Sequence, residues 1–306
     1  MTVAFISHSS CRLHAMGPGH PERAERLSAI DDRVLASGLE AVLRHYDAPQ
    51  AGREQLVRVH EAAYVDSILA VRPRDGLVWL DPDTAMNEHS AEAALRAAGA
   101  AVLGVDLVMS GEAGCAFCSV RPPGHHAERG RAMGFCLFNN VVVGAVHALE
   151  EHGVDRVAIL DFDVHHGNGT EDMVSGDARV LFCSTFQHPF YPYSGSGPCA
   201  ENVVNVPLAA GTGGEGFRAA VTEQWLPRVE AFAPQLVMVS AGFDAHREDA
   251  LAQLRLREED YAWVTTEIKR LADAHAGGRI VSCLEGGYAL DALGRSVVAH
   301  INAMLG

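Results

Sequence analysis

The sequence predicts an α/β fold in which a parallel sheet is covered by helices on both faces. Short apolar segments alternate with longer amphipathic segments along the 306 residues, which is the pattern of repeated βαβ units. Segments such as VAIL and LVMVS are continuously apolar, as expected for strands that are buried on both faces. No repeat, linker or low-complexity tract interrupts this pattern, so we expect residues 1–306 to form a single domain.

The predicted elements follow from periodicity and length. The predicted strands are, in chain order, Val3–Ile6, Cys115–Val120, Val157–Leu160, Val180–Cys183, Leu236–Ser240 and Arg279–Leu284. The predicted helices, each longer than the strands and amphipathic or rich in alanine, are Pro21–Ser37, His89–Met109, Asn140–His152, Gly214–Phe232, Glu258–Ala276 and Leu290–Leu305.

The overall charge limits the class of partner. The formal net charge is -15, whereas a general nucleic-acid binder needs a basic face, so we expect no nucleic-acid partner. An acidic surface attracts cationic ligands, although it also serves solubility alone. The start MTVAFISHSS lacks the basic and apolar regions of a signal peptide, and we expect no apolar run long enough for a membrane span. We therefore expect a cytoplasmic protein without a membrane partner.

The seven cysteines point to a reduced protein. Cys115 and Cys118 form a lone C-x-x-C, but a zinc ribbon needs a second pair and a redox motif needs a thioredoxin-like setting. The pair lies within CAFCSV, which is typical of a strand. We therefore interpret these cysteines as buried thiols.

Polar, chemically useful residues directly follow four of the predicted strands. RPPGHH follows CAFCSV, DFDVHHGN follows RVAIL, GFDAH follows LVMVS and EGGY follows RIVSCL. Ligands of open parallel sheets bind at the carboxyl ends of the strands. The four clusters therefore predict one shared pocket.

The segment DFDVHHGN contains three candidate metal ligands. Asp161, Asp163 and His165 are spaced i, i+2 and i+4, so on a strand they would share one face. Polar groups in an apolar sheet need partners, and a catalytic zinc ion typically has three protein ligands of these types. With Asp244 from GFDAH as the third member, we predict Asp163, His165 and Asp244 as the ligands.

Two further motifs supply acid–base and hydrogen-bonding groups. The stiff turn RPPG precedes His125 and His126, and histidine suits proton transfer near neutral pH. The glycines of EGGY allow a close backbone approach, after which the Tyr288 hydroxyl could stabilise an oxyanion. Taken singly, each motif fits an ordinary turn equally well.

Together these motifs resemble those of the histone deacetylase family, in the family's order. The segments are RPPGHHAERGRAMGFCLFNN, DFDVHHGNGTEDM, SAGFDAHREDALAQL and LEGGY, and the likeness runs from about Gly19 to the C-terminus. It is strongest to the class II branch and to bacterial acetylpolyamine amidohydrolases. The resemblance implies a single-domain arginase/deacetylase fold, with an eight-stranded parallel sheet flanked by helices. It also implies a zinc-dependent amidohydrolase that hydrolyses the acetamide of acetylated amines.

The resemblance assigns roles to individual positions. Asp163, His165 and Asp244 match the zinc ligands, in agreement with their spacing. It also implies a structural potassium ion (K+), bound through backbone carbonyls near Asp161, Asp163, His165 and Ser184.

The same resemblance implies the catalytic groups. His126 matches the general base, which also acts as general acid, and His125 matches its electrostatic partner. Asp161 resembles the carboxylate behind His125, while Asn168 stands where many class I members carry Asp beside the general base. Tyr288 matches the tyrosine that stabilises the oxyanion, and its presence implies activity.

Substrate-binding positions are also implied. Phe135, with Gly134 before it, matches one wall of the family's acyl-lysine channel, and Tyr191 in FYPYSG is the expected second wall. Leu251 lies where polyamine deacetylases of higher organisms carry Glu, so it does not enforce a cationic substrate. The segment DPDTAMNEHS, with Asp81, Asp83 and Glu88, is interpreted equally well as an acidic rim or as a solvated loop.

Several functions stay open. If the protein is a deacetylase, we favour acetylpolyamines such as acetylputrescine, acetylcadaverine and acetylspermidine as substrates. Acetyllysine peptides or another acetylated metabolite are the alternative substrates. A ureohydrolase needs a second metal, whose ligands the chain lacks, because DVHHG and DAH end in Gly and His. A non-catalytic acyl-ligand sensor is the alternative of another class. The short segment SSCRLHAMGPGHPERAERL lacks an insertion that shapes a dimer in several bacterial relatives, so the chain could be a monomer or a homodimer.

Overall fold

The centre of the molecule is an eight-stranded parallel sheet. The computed structural model describes residues 2–74 and 76–306. The strand order is β2-β1-β5-β10-β9-β6-β7-β8, and every neighbouring pair is parallel. The strands are β1 (Val3–Ser7), β2 (Leu43–Asp47), β5 (Cys115–Cys118), β6 (Val157–Asp161), β7 (Val180–Gln187), β8 (Val203–Leu208), β9 (Leu236–Ala241) and β10 (Ile280–Leu284). A separate antiparallel hairpin joins β3 (Val78–Trp79) and β4 (Ala85–Met86).

Helices cover both faces of this sheet, as the sequence predicts. One layer pairs α4 with α5, and another packs α10 between α1 and α9. A contiguous hydrophobic core joins these helices to the sheet. The helices are α1 (Glu25–Ser37), α2 (Arg53–Val57), α3 (Ala62–Ala70), α4 (Ser90–Ser110), α5 (Asn140–Glu151), α6 (Asn168–Val174), α7 (Gly214–Ala220), α8 (Leu226–Phe232), α9 (Glu258–His275) and α10 (Leu290–Leu305).

The two edge strands, β2 and β8, were not predicted from the sequence. In β2, with the sequence LRHYD, only Leu43 is buried. In β8, with the sequence VVNVPL, the middle residues are partly exposed and Pro207 cannot donate a backbone hydrogen bond. Because an edge strand is solvated along one side, it need not form the continuous apolar run that identifies a central strand.

The predicted long helix Gly214–Phe232 is helical throughout but not uniformly α-helical. A π-turn over Val221–Trp225 separates α7 from α8. Pro227 in the first turn of α8 has no N–H, so it cannot form the backbone bond that an uninterrupted α-helix requires there.

The alanine-rich helix α4 corrects one expectation. Ser90–Ser110 is long and apolar enough to cross a membrane by length and composition, although we expected no such run. About two thirds of its most apolar window is buried within the fold (67%), which is typical of a core helix. It packs against α5 and against β5 and β10 of the sheet. The expectation that no apolar run has the length of a membrane span was therefore wrong. A long alanine-rich core helix has the same length and composition as a membrane-spanning helix.

Candidate metal and active site

Two carboxylates and one imidazole converge beyond the carboxyl ends of β6 and β9. The ligand atoms of Asp163, His165 and Asp244 all lie within 4.8 Å of one another. His165 Nδ1 is 3.0 Å from Asp163 Oδ1 and 3.2 Å from Asp244 Oδ2. Both carboxylates are almost fully buried. The donor set is the oxygen and nitrogen set that zinc accepts in catalytic sites.

The electrostatics of this cluster require a positive charge. Burial lowers the pKa of His165, but hydrogen bonds and charges from Asp163 and Asp244 outweigh it and raise that pKa to about 10. Burial and the charge of Asp163 raise the pKa of Asp244 to about 6. Asp244 Oδ2 is buried, and among the described residues it has only the imperfectly aligned His165 Nδ1, 3.2 Å away, as a partner. A bound dication would supply the positive charge and satisfy this oxygen, so the residues fit a metal ion.

Backbone groups hold the two carboxylates in place. Gly286 N donates to Asp163 Oδ2 at 2.8 Å, and Val164 N donates to Asp244 Oδ1 at 2.9 Å. A Cβ on Gly286 would lie 2.1 Å from Asp244 Oδ2 and 2.6 Å from Asp163 Oδ2. Only glycine therefore lets the EGGY loop approach both ligands.

The strand that carries DFDVHH ends earlier than the spacing argument requires. Strand β6 stops at Asp161, and the following residues form a turn. The alternation of side chains along a strand therefore does not extend to Asp163 and His165. Asp161 faces His125 instead of the metal cluster. The predicted ligands do converge, but the alternation of a strand is not what brings them together.

His125 and Asp161 form a buried ion pair. Asp161 Oδ2 is 3.0 Å from His125 Nδ1. Burial lowers the pKa of His125, but the charges of Asp161 and Asp163 outweigh it and raise that pKa to about 10. In this setting His125 is a cation held next to the reaction centre.

His126 has the opposite character, although it is the next residue. Burial and the positive charges of His125 and His165 hold the pKa of His126 well below its ordinary value. Asn168 Nδ2 donates to Glu128 Oε1 at 2.8 Å, which turns Asn168 Oδ1 towards His126 Nδ1, also at 2.8 Å. His126 must therefore donate its Nδ1 proton to Asn168. Its Nε2 lone pair stays free, as a general base requires.

Tyr288 is positioned by a cation and a carboxylate. The Arg26 guanidinium lies 5.0 Å from the centre of the Tyr288 ring. Asp249 Oδ2 accepts hydrogen bonds from the backbone N–H groups of Tyr288 and Ala289, at 2.7 and 3.1 Å. Burial holds the pKa of Tyr288 well above its ordinary value. The hydroxyl therefore keeps its proton and can donate a hydrogen bond.

His126, His165 and Tyr288 line one narrow pocket of about 150 Å³. Two aromatic rings, Phe135 and Tyr191, form part of its walls. The Tyr191 ring lies 5.3 Å from that of His126, and the Phe135 ring lies 6.0 Å from that of Tyr288. The complete lining is Asp83, His126, Gly134, Phe135, His165, Tyr191, Leu251 and Tyr288.

Comparison with known proteins assigns the chain to a family. Residues 20–304 match the histone deacetylase domain. The chain belongs to the histone deacetylase family. It is 38% identical to the histone deacetylase-like amidohydrolase of Pseudomonas aeruginosa over 94% of this chain and 81% of that protein. It is 36% identical to a probable deacetylase of Archaeoglobus fulgidus over all of this chain and 87% of that protein.

The fold comparison agrees with this assignment. The crystal structure of the HDA15 HD domain superposes on all of this chain and on 88% of that domain, with a TM-score of 0.93 and 33% sequence identity. The sheet described above is therefore the arginase/deacetylase sheet of the family, and the predicted fold class is confirmed. The enzyme class, a deacetylase or amidohydrolase, follows from the family.

The structure of this family member brings most of the predicted site residues together. The predicted metal ligands converge, and the predicted catalytic residues His125, His126, Asp161, Asn168 and Tyr288 surround them. Gly134, Phe135, Tyr191 and Leu251 line the pocket as expected. Their functional roles stay predictions.

Glu88 requires a correction. It does not line the pocket, and its side chain is largely exposed beside His89, just before α4 begins. Asp83 is the carboxylate of this segment that reaches the pocket. An Asx turn at Asp81, whose Oδ1 accepts from the N–H groups of Asp83 and Thr84, directs the chain in this way. Spacing alone could not decide which of the three acids faces inward.

Sequence reasoning missed several supporting residues. Glu285 Oε2 accepts from the N–H groups of Gly124 and His125 at 2.6 and 3.1 Å, so it joins the RPPGHH loop to β10. The Phe190 ring stacks on the His165 ring at 5.3 Å. Glu285 and Phe190 both lie within motifs that the sequence singled out, in LEGGY and FYPYSG. Both residues stand inside these motifs without an assigned role, and that was the signal by which the sequence could have indicated them.

Proposed function

We propose that this protein is a zinc-dependent deacetylase that hydrolyses the acetamide of acetylated amines, with acetylpolyamines as its preferred substrates. The cluster of Asp163, His165 and Asp244 at the end of a narrow pocket, with the free Nε2 of His126 beside it, carries this proposal. A sensor would need neither a general base with a fixed tautomer nor a hydroxyl donor. Both groups line the same pocket.

Asp163, His165 and Asp244 would hold the zinc ion. Bound there, zinc supplies Lewis-acid activation of the acetamide carbonyl and of the attacking water. His126 takes a proton from that water at Nε2, while Asn168 holds its Nδ1 proton. Tyr288 donates its hydroxyl proton in a hydrogen bond to the oxygen on which negative charge develops. The water oxygen bonds to the acetamide carbon, and His126 then returns the proton to the amine nitrogen as the C–N bond breaks, which yields acetate and the free amine.

The pocket supports a linear cationic substrate. Phe135 and Tyr191 offer apolar walls to an alkyl chain. Asp83 is half-buried in the lining, and burial together with the neighbouring Asp81 raises its pKa. A carboxylate whose pKa is raised in this way gains from a nearby ammonium group. An acetyllysine peptide remains the second candidate, because Leu251 at the rim places no requirement for charge on the substrate.

The first test is a comparison of substrates. We expect the zinc-loaded protein to show a higher kcat/KM on acetylspermidine and acetylcadaverine than on an acetyllysine peptide. A preference for the peptide would establish the second candidate. No acetate release from any of them would contradict the deacetylase proposal.

A matched pair of variants tests the role of charge at the rim. Asp83→Asn should raise KM for acetylcadaverine by about tenfold, because it removes an attraction worth about 1 kcal/mol or more in a partly buried setting. Glu88→Gln removes an acid of the same segment that does not line the pocket, so its KM should not change. Equal effects of the two variants would show that only the general acidity of the chain matters.

Metal removal tests the zinc requirement. Dialysis against a chelator should abolish acetate release, and added Zn²⁺ should restore it. Asp244→Asn should bind the catalytic zinc at least tenfold more weakly, because it removes a charged ligand. Full activity after verified removal of all metal would contradict the proposal.

Two further features belong to the same proposal. Cys11, Cys118, Cys136, Cys183, Cys199 and Cys283 are free thiols, five of them buried, which supports a reducing cytoplasmic location. A structural potassium ion near Asp161 and Ser184 stays a prediction from the family resemblance. Potassium titration of activity in sodium buffer would test it.

A further inference from the structure

A second group of metal-ligating side chains lies away from the pocket. Asp106 belongs to α4, His147 to α5, and His152 immediately follows α5. Helix α5 starts close to the active-site loops and ends shortly before β6 begins. These residues therefore lie towards the amino ends of the strands, whereas the pocket lies at their carboxyl ends.

The three side chains converge as tightly as the catalytic ligands. Their ligand atoms lie within 4.8 Å of one another. His147 Nε2 and His152 Nε2 are 2.9 and 2.7 Å from the same oxygen, Asp106 Oδ1. The corresponding separations in the catalytic cluster are 3.0 and 3.2 Å. Small side-chain rotations would open the second cluster to the roughly 3.4 Å between ligands that follows from tetrahedral zinc bonds of about 2.1 Å.

Burial is graded across this cluster. The His147 side chain is 8% exposed, whereas His152 and Asp106 are 25% and 46% exposed. A metal ion could therefore reach the cluster from solvent and keep water on its outer side. Two imidazoles and a carboxylate form a donor set that suits Zn²⁺, Ni²⁺ and Cu²⁺ better than Mg²⁺ or Ca²⁺.

We propose that Asp106, His147 and His152 form a second binding site for a divalent transition-metal ion, with zinc as its natural occupant. The ion joins α4 to the end of α5, so it stabilises the packing of the two helices against the sheet. The site lies outside the catalytic pocket and takes no part in the chemistry there. Three protein ligands and remaining water make it an exchangeable site.

Gln55 determines which ring nitrogen of His147 carries the proton when no metal is bound. Gln55 Oε1 accepts from Gly52 N at 2.8 Å, which leaves Gln55 Nε2 facing His147 Nδ1 at 3.4 Å. In the neutral ring this arrangement places the proton of His147 on Nε2, towards Asp106. Metal binding at Nε2 moves that proton to Nδ1, where the Gln55 amide cannot accept it. Gln55 therefore weakens the site, and a carboxylate in its place would strengthen it.

The test counts metal ions in the zinc-loaded enzyme. Wild type and variants are equilibrated with Zn²⁺ at a buffered free concentration, and bound zinc is measured by atomic emission. His152→Asn and Asp106→Asn should each bind one ion fewer per chain than wild type, with unchanged kcat/KM for the acetylated amine. The matched control is His45→Asn, which removes an exposed histidine paired with Glu40 and should bind as many ions as wild type.

A variant that binds the second zinc more tightly tests the site even if the variants that lose a ligand fail to fold. Gln55→Glu keeps an acceptor for Gly52 N and offers an acceptor to the Nδ1 proton of His147. It should bind the second zinc about tenfold more tightly than wild type. The same zinc count in wild type, His152→Asn and Asp106→Asn would overturn the proposal and leave the cluster as a hydrogen-bonded link between helices. Because the readout is a difference in ion number, it does not depend on which acetylated substrate the enzyme uses.

Discussion

At the scale of single residues, two adjacent histidines receive opposite properties from their neighbours. Asp161 faces His125 with a negative charge and favours its protonated form. Asn168 faces His126 with an uncharged carbonyl oxygen, so His126 stays neutral with a fixed tautomer. The chemistry of the pair is therefore decided by which oxygen faces each ring.

Replacing Asn168 by Asp should shift the pH dependence of the reaction. A general base must be neutral, so kcat/KM falls as pH drops through the pKa of His126. That pKa is held below its ordinary value, so the acid limb in wild type should lie below pH 6.5. A carboxylate at Asn168 would stabilise the imidazolium and move the limb up by about one pH unit. An unchanged profile would remove His126 from the role of base.

Removing the Tyr288 hydroxyl should lower the rate of the chemical step. Tyr288→Phe should reduce kcat by about 10²-fold to 10³-fold with little change in KM, because the hydrogen bond forms fully only as charge develops. Tyr193→Phe removes a hydroxyl from a 75% exposed tyrosine near the pocket wall and serves as the control. A rise in KM without a fall in kcat would indicate a substrate-binding role instead.

At the scale of elements, a glycine in α4 allows this helix to lie against the backbone of the segment before α2. A Cβ on Gly99 would lie 1.9 Å from the backbone oxygen of Pro49 and 2.8 Å from Ala51 N. Backbone atoms cannot move aside as a flexible side chain does. Gly99 is therefore required by packing, although glycine weakens a helix interior.

The substitution Gly99→Ala tests this approach. We expect it to lower the free energy of unfolding by about 3 kcal/mol, because overpacking exceeds the gain in helix propensity. Gly216→Ala in α7 is the control, since its new methyl would meet only the Thr212 methyl group, which can rotate. Chemical unfolding of both variants measures the difference. Equal stabilities would mean that the segment before α2 is free to move.

At the scale of the whole molecule, two buried neutral histidines link stability to pH. His60 Nδ1 lies 3.0 Å from the Glu128 carbonyl, to which it donates, and His60 Nε2 accepts from Asn139 N at 3.0 Å. Burial lowers the pKa of His60 to about 4. His300 lies between the hydroxyls of Thr265 and Ser282, and burial lowers its pKa to about 3. Both side chains resist protonation in the folded state.

The sign of the resulting pH effect is definite. An unfolded histidine binds a proton below about pH 6.5, whereas folded His60 does so only below about 4. Stability is therefore complete above pH 6.5 and is lost as pH falls towards 4, by about 3 kcal/mol from His60 alone. His60→Gln keeps one donor and one acceptor without titrating. Its loss of stability between pH 7 and 5, measured by chemical unfolding, should be about 2 kcal/mol smaller than that of wild type.

The sequence predicted the central strands, the main helices and the convergence of four motifs, because each depends on a local pattern. It did not predict β2 and β8, since edge strands are partly solvated. It also extended the alternation of a strand to Asp163 and His165, which lie beyond the point where β6 ends. The second error arises because local periodicity does not reveal where an element stops.

The sequence by itself determined the fold class, the family and the residue types of the reaction centre. Those properties depend on hydrophobic periodicity and on which side chains follow each strand, and both are written along the chain. Only the tertiary structure decided that Asp83 and not Glu88 reaches the pocket, that Glu285 holds the histidine loop, and that Asp106 meets two histidines. Each of these contacts joins residues far apart in sequence or depends on how a turn directs a side chain. The folded backbone alone fixes such distances.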